Sequence, residues 1–562
     1  MIPLRKRWQI AAQISPTASQ ALQGYPSILR QILYNRGYTQ TEQARIFLEA
    51  KSPPGTSPEN LLGLPLAADR INFAIKNHEP IAIYGDYDVD GVTATALLVQ
   101  ALSSLQANVR GYIPNRFDEG YGLNIEALES LHAEGVRLVI TVDCGIRSWE
   151  EATHARLLGL DLIITDHHHP LGELPQAFAI IDPKQMGDAY PDKDLAGVGL
   201  AYKMVSCLMP ISEADSYLDL VALGTVADLA PLVGENRALV RSGLGQIRLP
   251  QRQGIMALIG VSGLEPRRVT ASDIGYVLGP RLNAAGRLDS ALAALELLTT
   301  AEVHTAAGLA QKLETQNRER QQLTRDMQVS AEEIALTGKP EAFLLFAAHP
   351  EFNPGVVGLV ASRLCEQHYR PAIVAHTGDQ LTRGSCRSIP EFHITDALDR
   401  CAELMEHHGG HAAAAGFTVR NENLPELIRR LEEIAHQQLS SQDLRPTLQA
   451  DMQITLEDLK PELLEYLGWL QPTGYGNRPA IFVTPDLKVK RSQAVGRENA
   501  HLKLSVTDGW ITYDAIAFRQ GHWLENIPPR VDLAYTFEKN EYNGRTSLQL
   551  NVADIKPAGE EN

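Results

Sequence analysis

No run of about 18 apolar residues occurs anywhere in the 562-residue chain, so a membrane-spanning helix is not expected. The opening residues MIPLRKRWQIAAQIS carry a basic patch, but Gln9 and Gln13 break the apolar stretch that a secretory signal requires. Cysteine is scarce. Cys144, Cys207, Cys365, Cys386 and Cys401 are odd in number, widely scattered and include no C-x-x-C pair. That argues against a disulfide framework and a thiolate zinc site, and fits free thiols in a reducing compartment. A soluble, cytoplasmic protein is the expectation. An excess of positive charge is also missing: 51 Lys and Arg stand against 68 Asp and Glu, a net charge of −17. A generally basic nucleic-acid coat is thereby excluded, whereas a local basic groove is not. Repeats and low-complexity tails are absent as well. What remains is an ordinary globular composition, 44% hydrophobic and 21% charged, in a chain long enough for about three or four domains.

Residues 1 to about 50 read as short helices, stopped by the prolines of KSPPGTSP at Lys51–Pro58. Short continuous apolar runs follow, IAIYG, RLVITV, LDLIIT and FAII, separated by helix-like stretches such as VTATALLVQALSSL. This is the rhythm of a parallel sheet covered on both faces. From about Ala301 to Leu336 the pattern becomes one long helix, with Leu309, Leu313, Leu323, Met327, Ala331 and Ile334 along a stripe. A second α/β segment begins at FLLFAA, includes PAIVAH and GGHAAAAGF, and ends near SSQDLRPT. The last segments, HLKLSV, YDAIAF, VDLAYTF and SLQLNVADI, read as strands of a small antiparallel barrel.

The apolar strands end on acids. IAIYG runs into Asp86-Tyr87-Asp88-Val89-Asp90-Gly91, LVITV into Asp143-Cys144-Gly145, and LIIT into Asp166-His167-His168-His169. A helix ending in Gly224-Thr225-Val226-Ala227 adds Asp228. One such Asp is ordinarily a turn or a helix cap. Several at the carboxyl edge of one sheet, where ligands bind in open α/β folds, form a crowd that a fold tolerates only with cations or raised pKa values. Oxygen donors mixed with imidazole point to Mn²⁺ or Mg²⁺, with Mn²⁺ favoured. A calcium EF-hand begins D-x-D-x-D-G too, but its twelfth position, the bidentate Glu, is Leu97 here. Two metals would suit phosphoester hydrolysis, with Asp143 as the bridging candidate and a His to touch the phosphate or protonate the leaving group.

DYDVDG, VDCG, TDHH and GTVADLAPL, in this order, resemble the successive motifs of the DHH phosphoesterase superfamily. YIPNRFDEGYGL, LAGVGLAYK, LGPRLNAAGRL, GGHAAAAGF and LQPTGYGNRPAIF extend the resemblance, over nearly the whole chain, to its bacterial single-strand-specific exonuclease branch. The resemblance implies an α/β protein: a parallel-sheet phosphoesterase lobe, a long linking helix, a second α/β DHH-associated lobe and a C-terminal β-barrel of the oligonucleotide-binding (OB) type. The implied segments are a helical region at 1–55, the phosphoesterase domain at 56–260, a linking helical region at 261–336, the DHH-associated domain at 337–440 and the OB fold at 441–562. The implied activity is 5′→3′ degradation of single-stranded DNA to mononucleotides, in repair and recombination. Two divalent cations, Mn²⁺ or Mg²⁺, would be held by Asp86, Asp88, Asp90, Asp143, His167, His168 and Asp228, with Asp143, His167 and His168 catalytic and Asp166 orienting a neighbouring His. The implied state is a monomer, with a single-strand-binding protein and a RecQ-type helicase as partners.

Substrate contacts are sought in small-residue motifs. Arg281, Asn283 and Arg287 in GPRLNAAGR offer guanidinium forks and an amide among residues that let a backbone come close. Gly410 and His411 in GGHAAAAG, read as glycines followed by a helix, offer N–H groups to a phosphate; Ser385 and Arg387 are assigned to the same cleft. Tyr112, Asn115, Arg116 and Tyr121 stand as a possible stacking platform, with local packing the ordinary alternative. Lys488, Lys490, Arg491, Lys503, Trp510 and Arg519 would give the barrel a strand-tracking groove. The family's Trp-His-Pro-Gly-Val is Phe352-Asn353-Pro354-Gly355-Val356 here, and His169 is expected to face solvent. Two other readings stay open. A small phosphoesterase leaves the barrel without a purpose, and a non-catalytic scaffold should have lost metal ligands.

Overall fold

The computed structural model describes residues 5–115, 122–288, 290–339, 341–542 and 545–560. Arg116 and Tyr121 lie outside them. The chain divides into two compact units, one of residues 10–314 with 449–561 and one of residues 315–448 with 1–9.

In the larger unit, five parallel strands, β1 (Ile81–Gly85), β2 (Val109–Tyr112), β3 (Leu138–Val142), β4 (Asp161–Thr165) and β5 (Ala179–Ile181), stand in the order β2-β1-β3-β4-β5. Their continuous apolar runs are explained by helices on both faces. Ile81, Ile83, Ile140 and Ile163 join one core with the helices α1 (Val89–Ser104), α2 (Gly197–Leu208) and α3 (Leu218–Ala227). Ala82, Tyr84, Val139 and Ile164 join another, under the helices Ile125–Ala133 and Trp149–Leu158. Each such large side chain taken out of water contributes roughly 1.5–3 kcal/mol. Strand order reverses between β1 and β3, which opens a crevice at their carboxyl ends.

The same unit contains the barrel. Strands Phe482–Val495, His501–Thr507, Thr512–Ala517, Arg545–Pro557 and Arg530–Tyr542 pair in that order, and the last returns to the first, closing five strands as in an OB fold. Leu29, Ile32, Leu33 and Phe47 of the N-terminal helices share one core with Leu456, Phe482 and Leu533 of the barrel segment. Arg237 ties this assembly to the phosphoesterase segment. Fully buried, it spends its N–H donors on the carbonyls of Phe47, Trp469, Leu470, Gln471 and Pro472 at 2.8–3.0 Å, and its guanidinium lies 4.1 Å over the Phe47 ring. No carboxylate faces it in that set, and burial pulls its pKa down to about 10.

The linking helix runs from Val303 to Leu336; Leu313, Met327 and Ala331 are buried on its stripe, whereas Ile334 is exposed. In the smaller unit the sheet order is Met405–His411, Ala414–Arg420, Leu381–Arg387, Ala372–Thr377, Leu345–His349, with only the last pair parallel. One expectation is corrected here. GGHAAAAG is not glycines opening a helix but a β-hairpin, with Gly409 opposite Gly416 and His411 opposite Ala414. Alanine's helix propensity, a few tenths of a kcal/mol per residue over its competitors, loses to pairing with Leu381–Arg387. It loses also to two bonds on the turn, from Ile394 N–H to the Ala412 carbonyl and from Ser388 N–H to that of Ala413.

Candidate metal centre

Four strands of the parallel sheet are each followed at once by an aspartate: β1 by Asp86, β3 by Asp143, β4 by Asp166 and β5 by Asp182. Parallel strands in register carry those four carboxyl groups to one edge, and all four residues are buried. Asp88 caps α1, its Oδ1 accepting from the N–H groups of Asp90 and Gly91 at 2.9 and 3.1 Å. Asp90 accepts from Gly197 and Val198 at the start of α2, at 2.6 and 2.9 Å, which is the work of the LAGVG segment. Gly224 lets α3 come equally near, since a Cβ there would stand 2.8 Å from Asp90 Oδ1.

His167 is the hub. Its Nε2 lies 3.0 Å from Asp143 Oδ1, 3.7 Å from Asp228 Oδ2 and 3.8 Å from Asp90 Oδ2. His168 Nδ1 is 2.7 Å from Asp166 Oδ1 and 3.9 Å from Asp143 Oδ1. Asp166 is filled by donors: Oδ1 takes the backbone N–H groups of His167 and His168 and the His168 ring, and Oδ2 takes Ile146 N–H at 2.9 Å. Three donors on Oδ1 and one on Oδ2 make it a bracket for the two histidines and the Ile146 peptide. Asp143 has backbone φ +61°, a conformation costly outside glycine that is found at functional sites.

The electrostatics fit a cation site. Burial, then the Asp88 charge, pushes the Asp90 carboxyl up to about 7. Burial, then Asp90 and Asp88, pushes Asp228 up to about 9, and burial with the surrounding aspartates drives Asp143 well up. Burial and the neighbouring His168 lower His167 to about 3, so its imidazole is neutral, the form that ligates metal. Burial opposes protonation of His168, but the bond to Asp166 and the charges of Asp166 and Asp88 together outweigh it, and its pKa is raised. Neither Asp143 Oδ1 nor His167 Nε2 has a hydrogen-bond partner, although both are buried. Buried ligand atoms left without donors, beside carboxyls that resist ionisation, are what a bound divalent cation would resolve. Three groups have their ligand atoms within 4.8 Å of one another: Asp86, Asp88 and Asp143; Asp143, His167 and His168; Asp90, His167 and Asp228. All seven ligands expected from the sequence are therefore brought together.

Two residues near the centre escaped the sequence reading. Asp182 Oδ1 accepts from Lys184 N–H at 2.7 Å, its buried Oδ2 has no partner, and burial raises its pKa to about 7. Lys184 Nζ donates to the His167 carbonyl at 2.6 Å. FAII followed by Asp182 is the same strand-then-acid signal that marked the others. His169 is exposed as expected, and its carbonyl accepts from Arg147 Nε and Nη2.

Beside the centre runs the helix α4 (Gly279–Leu288). Its small residues bring it against protein, since a Cβ at Gly286 would stand 2.7 Å from the Tyr87 carbonyl. Arg281 is engaged, 2.7 Å from Glu314 Oε2 and bonded to the Val277 carbonyl, while Asn283 and Arg287 are half-buried. Tyr112 stacks on Tyr84 at 5.1 Å, which is local packing. In the smaller unit, Arg387 Nη1 donates to the Cys386 carbonyl and to Ser385 Oγ at 2.8 and 3.3 Å. Gly358, near the start of the Val357–His368 helix, adjoins both: a Cβ there would lie 3.0 Å from Ser385 Oγ and 3.3 Å from Arg387 Nη2. Asn353 Oδ1 accepts from Gly355 N–H just before that helix, a local turn bond. Gly410 and His411 lie on the exposed edge strand.

The model of the DHH family N-terminal domain matches residues 80–225, that of the DHHA1 domain residues 341–437, and that of the RecJ OB domain residues 450–554. The single-stranded-DNA-specific exonuclease RecJ of Escherichia coli is 35% identical over 562 residues, covering 95% of this chain and 96% of its own. The chain belongs to the RecJ family. The RecJ of Bacillus subtilis is 39% identical over 531 residues, 94% of this chain and 67% of that one. The crystal structure of Thermus thermophilus RecJ in complex with Mn²⁺ superposes with a TM-score of 0.85 at 29% identity, covering 99% of this chain and 80% of that chain. A Mg²⁺ complex of the same protein aligns at 0.79.

Proposed function

We propose that this RecJ-family chain hydrolyses single-stranded DNA from its 5′ end to mononucleotides, using two divalent cations, in DNA repair and recombination. The observation that carries the reading is the set of buried, partnerless ligand atoms on Asp143 and His167, ringed by carboxyls from four strand ends and α3. Asp86, Asp88 and Asp143 would hold one ion, and His167, Asp228 and Asp90 the other, while His168, its Nδ1 given to Asp166, would face the substrate. Mixed oxygen and imidazole donors favour Mn²⁺ over Mg²⁺. When bound, the ions supply a water of lowered pKa and neutralise charge on the attacked phosphate and the leaving oxygen.

The chain's own residues do the rest. Asp166 holds the His168 ring by Nδ1–H and favours its protonated form, in which Nε2–H can bond a phosphate oxygen or protonate the leaving group. Lys184 fixes the His167 peptide. Arg281, held by Glu314, positions α4, and Asn283 and Arg287 contact the backbone phosphates. Ser385 and Arg387, near a helix N-terminus, bind a phosphate in the DHHA1 unit; His411 and Gly410 contribute from the hairpin. A single-strand-binding protein and a RecQ-type helicase are the proposed partners of this monomeric, cytoplasmic enzyme.

The test is an oligonucleotide labelled at either end, with Mn²⁺ or Mg²⁺. Release of 5′-labelled mononucleotide first, with blunt duplex resistant, is expected. Loss of 3′ label first, equal cutting of blunt duplex, or activity undiminished by EDTA would contradict the reading.

A further inference from the structure

Tyr276 is a large aromatic with 85% of its surface exposed, although its neighbours Ile274, Leu278 and Gly279 are buried. It lies in a π-helical turn, Ile274–Leu278, that leads directly into α4. Single π turns cost regular hydrogen bonding and recur at functional sites. This one is placed against the metal centre. Residue 275 meets Val226, and a Cβ at residue 279 would stand 3.3 Å from that of Ala227, the residue before Asp228. Eleven residues after Gly275, Gly286 meets the Tyr87 carbonyl between Asp86 and Asp88. The segment 275–286 thus borders the centre from the Asp228 side to the Asp86 side.

Helical spacing sorts its residues into stripes. Gly275, Gly279, Leu282 and Gly286 make the inward stripe. Arg281, on the far side, is held by Glu314 and the Val277 carbonyl. Tyr276, Pro280, Asn283 and Arg287, spaced by four, three and four, form the remaining edge, none of them buried. That edge carries an aromatic face, an amide and a guanidinium in line along the border of a phosphoester-cleaving centre. Single strands are held in this way, with bases stacked on rings while cations track phosphates, and stacking is indifferent to sequence because every base has a π face. Tyr112, the aromatic that the sequence offered for this task, is engaged with Tyr84.

We infer that Tyr276 stacks on a base of the bound single strand, so that the α4 edge grips base and backbone together. This rests on the DNA reading of the centre. The experiment measures affinity by fluorescence anisotropy in EDTA, where no cleavage occurs, for an oligothymidylate and for a strand of equal length built of abasic sites. Tyr276→Ala should weaken the oligothymidylate by about tenfold, within the range of one base–aromatic stack, while Tyr276→Phe and Tyr276→Trp keep wild-type affinity. On the abasic strand, wild type and Tyr276→Ala should bind alike. With Mn²⁺ and oligothymidylate varied up to saturation, the Ala variant should keep its kcat while its KM rises. Equal weakening on both strands, or none on either, overturns the inference. Tyr276→Leu guards against a folding defect: an apolar side chain that restores affinity would also overturn it, since area and not stacking would then suffice. A wild type that cleaves single strands without preferring bases over abasic sites defeats this inference alone. A wild type that binds neither strand defeats the DNA reading and this inference with it.

Discussion

Replacing Asp228 by Asn should stabilise the metal-free protein while destroying its stabilisation by metal. Burial and the Asp90 and Asp88 charges hold the Asp228 carboxyl at about 9, against an ordinary 3.8. An acid whose folded pKa is raised keeps its proton while the unfolded chain has given its own up. Stability is then fully present below about pH 4 and falls by about 1.4 kcal/mol per pH unit until the pH passes the folded value. Near pH 7.5 the loss is bounded by about 5 kcal/mol. Asp90 and Asp143 titrate with Asp228, so the share removed with this one carboxyl is smaller, about 2–3 kcal/mol. Thermal unfolding in EDTA reads it. Asp228→Asn should melt several degrees above the parent near pH 7.5, and the gap should close toward pH 4. Adding Mn²⁺ at a hundredfold excess over its Kd should close the gap, since it stabilises the parent by about 2.7 kcal/mol, and a thousandfold excess, about 4.1 kcal/mol, should reverse the order. A variant that melts lower in EDTA near neutral pH, or a gap that does not shrink in acid, would refute the account of the centre as a repulsive cluster awaiting cations.

Asp143→Ala should abolish Mn²⁺-stimulated hydrolysis with the fold intact by circular dichroism; retention of more than a few per cent of activity (order of magnitude, from the two-metal role of a bridging carboxylate) would reject its bridging role. Arg237→Met should lower stability by about 3–5 kcal/mol, because five buried carbonyls lose a charged donor at once, and a melting temperature within a degree or so of the parent would show the cage to be dispensable. For DNA tracking by the barrel, deletion from Leu448 is a poor probe, since it would strip the core from Leu29, Ile32 and Phe47. Joint substitution of the exposed Lys488, Lys490 and Arg491 by Ala should instead weaken long-strand binding and reduce its log–log salt slope by up to about 2. An unchanged slope would point the barrel toward protein partners.

Much of the centre was legible because strand periodicity and chemistry coincide locally. A buried parallel strand is a continuous apolar run, and the residue just past its carboxyl end must lie at the sheet's ligand edge; Asp86, Asp143 and Asp166 follow from that alone. Asp182 obeys the same rule just past the FAII run, but the Pro183-Lys184 that follows it reads as an ordinary turn and carries no histidine or glycine to mark it. Strand position did not separate Asp166 from Asp90; the family resemblance did, with Asp166 expected to orient a histidine and Asp90 expected on metal. The physical difference is tertiary: Asp166 accepts from four N–H groups and Asp90 from two of α2, a difference created by residues 146 and 197–198 arriving from elsewhere.

Composition and order of motifs sufficed for the α/β class, the long helix, the closed barrel and the metal chemistry, since each rests on patterns within some ten to thirty residues. Tertiary structure alone decided three things. The alanine run became a hairpin because a neighbouring strand and two outside N–H donors outbid local helix propensity. The N-terminal helices joined the barrel's core because their apolar faces found partners some four hundred residues away, as the 416-residue separation of the bonded Asn35 and Asp451 records. Tyr276 was left facing solvent on the rim of the centre because its glycine-rich neighbours turned inward to Val226, Ala227 and Tyr87. Long-range packing chooses among side chains that the sequence presents as equivalent, and no local pattern encodes which of them will be left exposed.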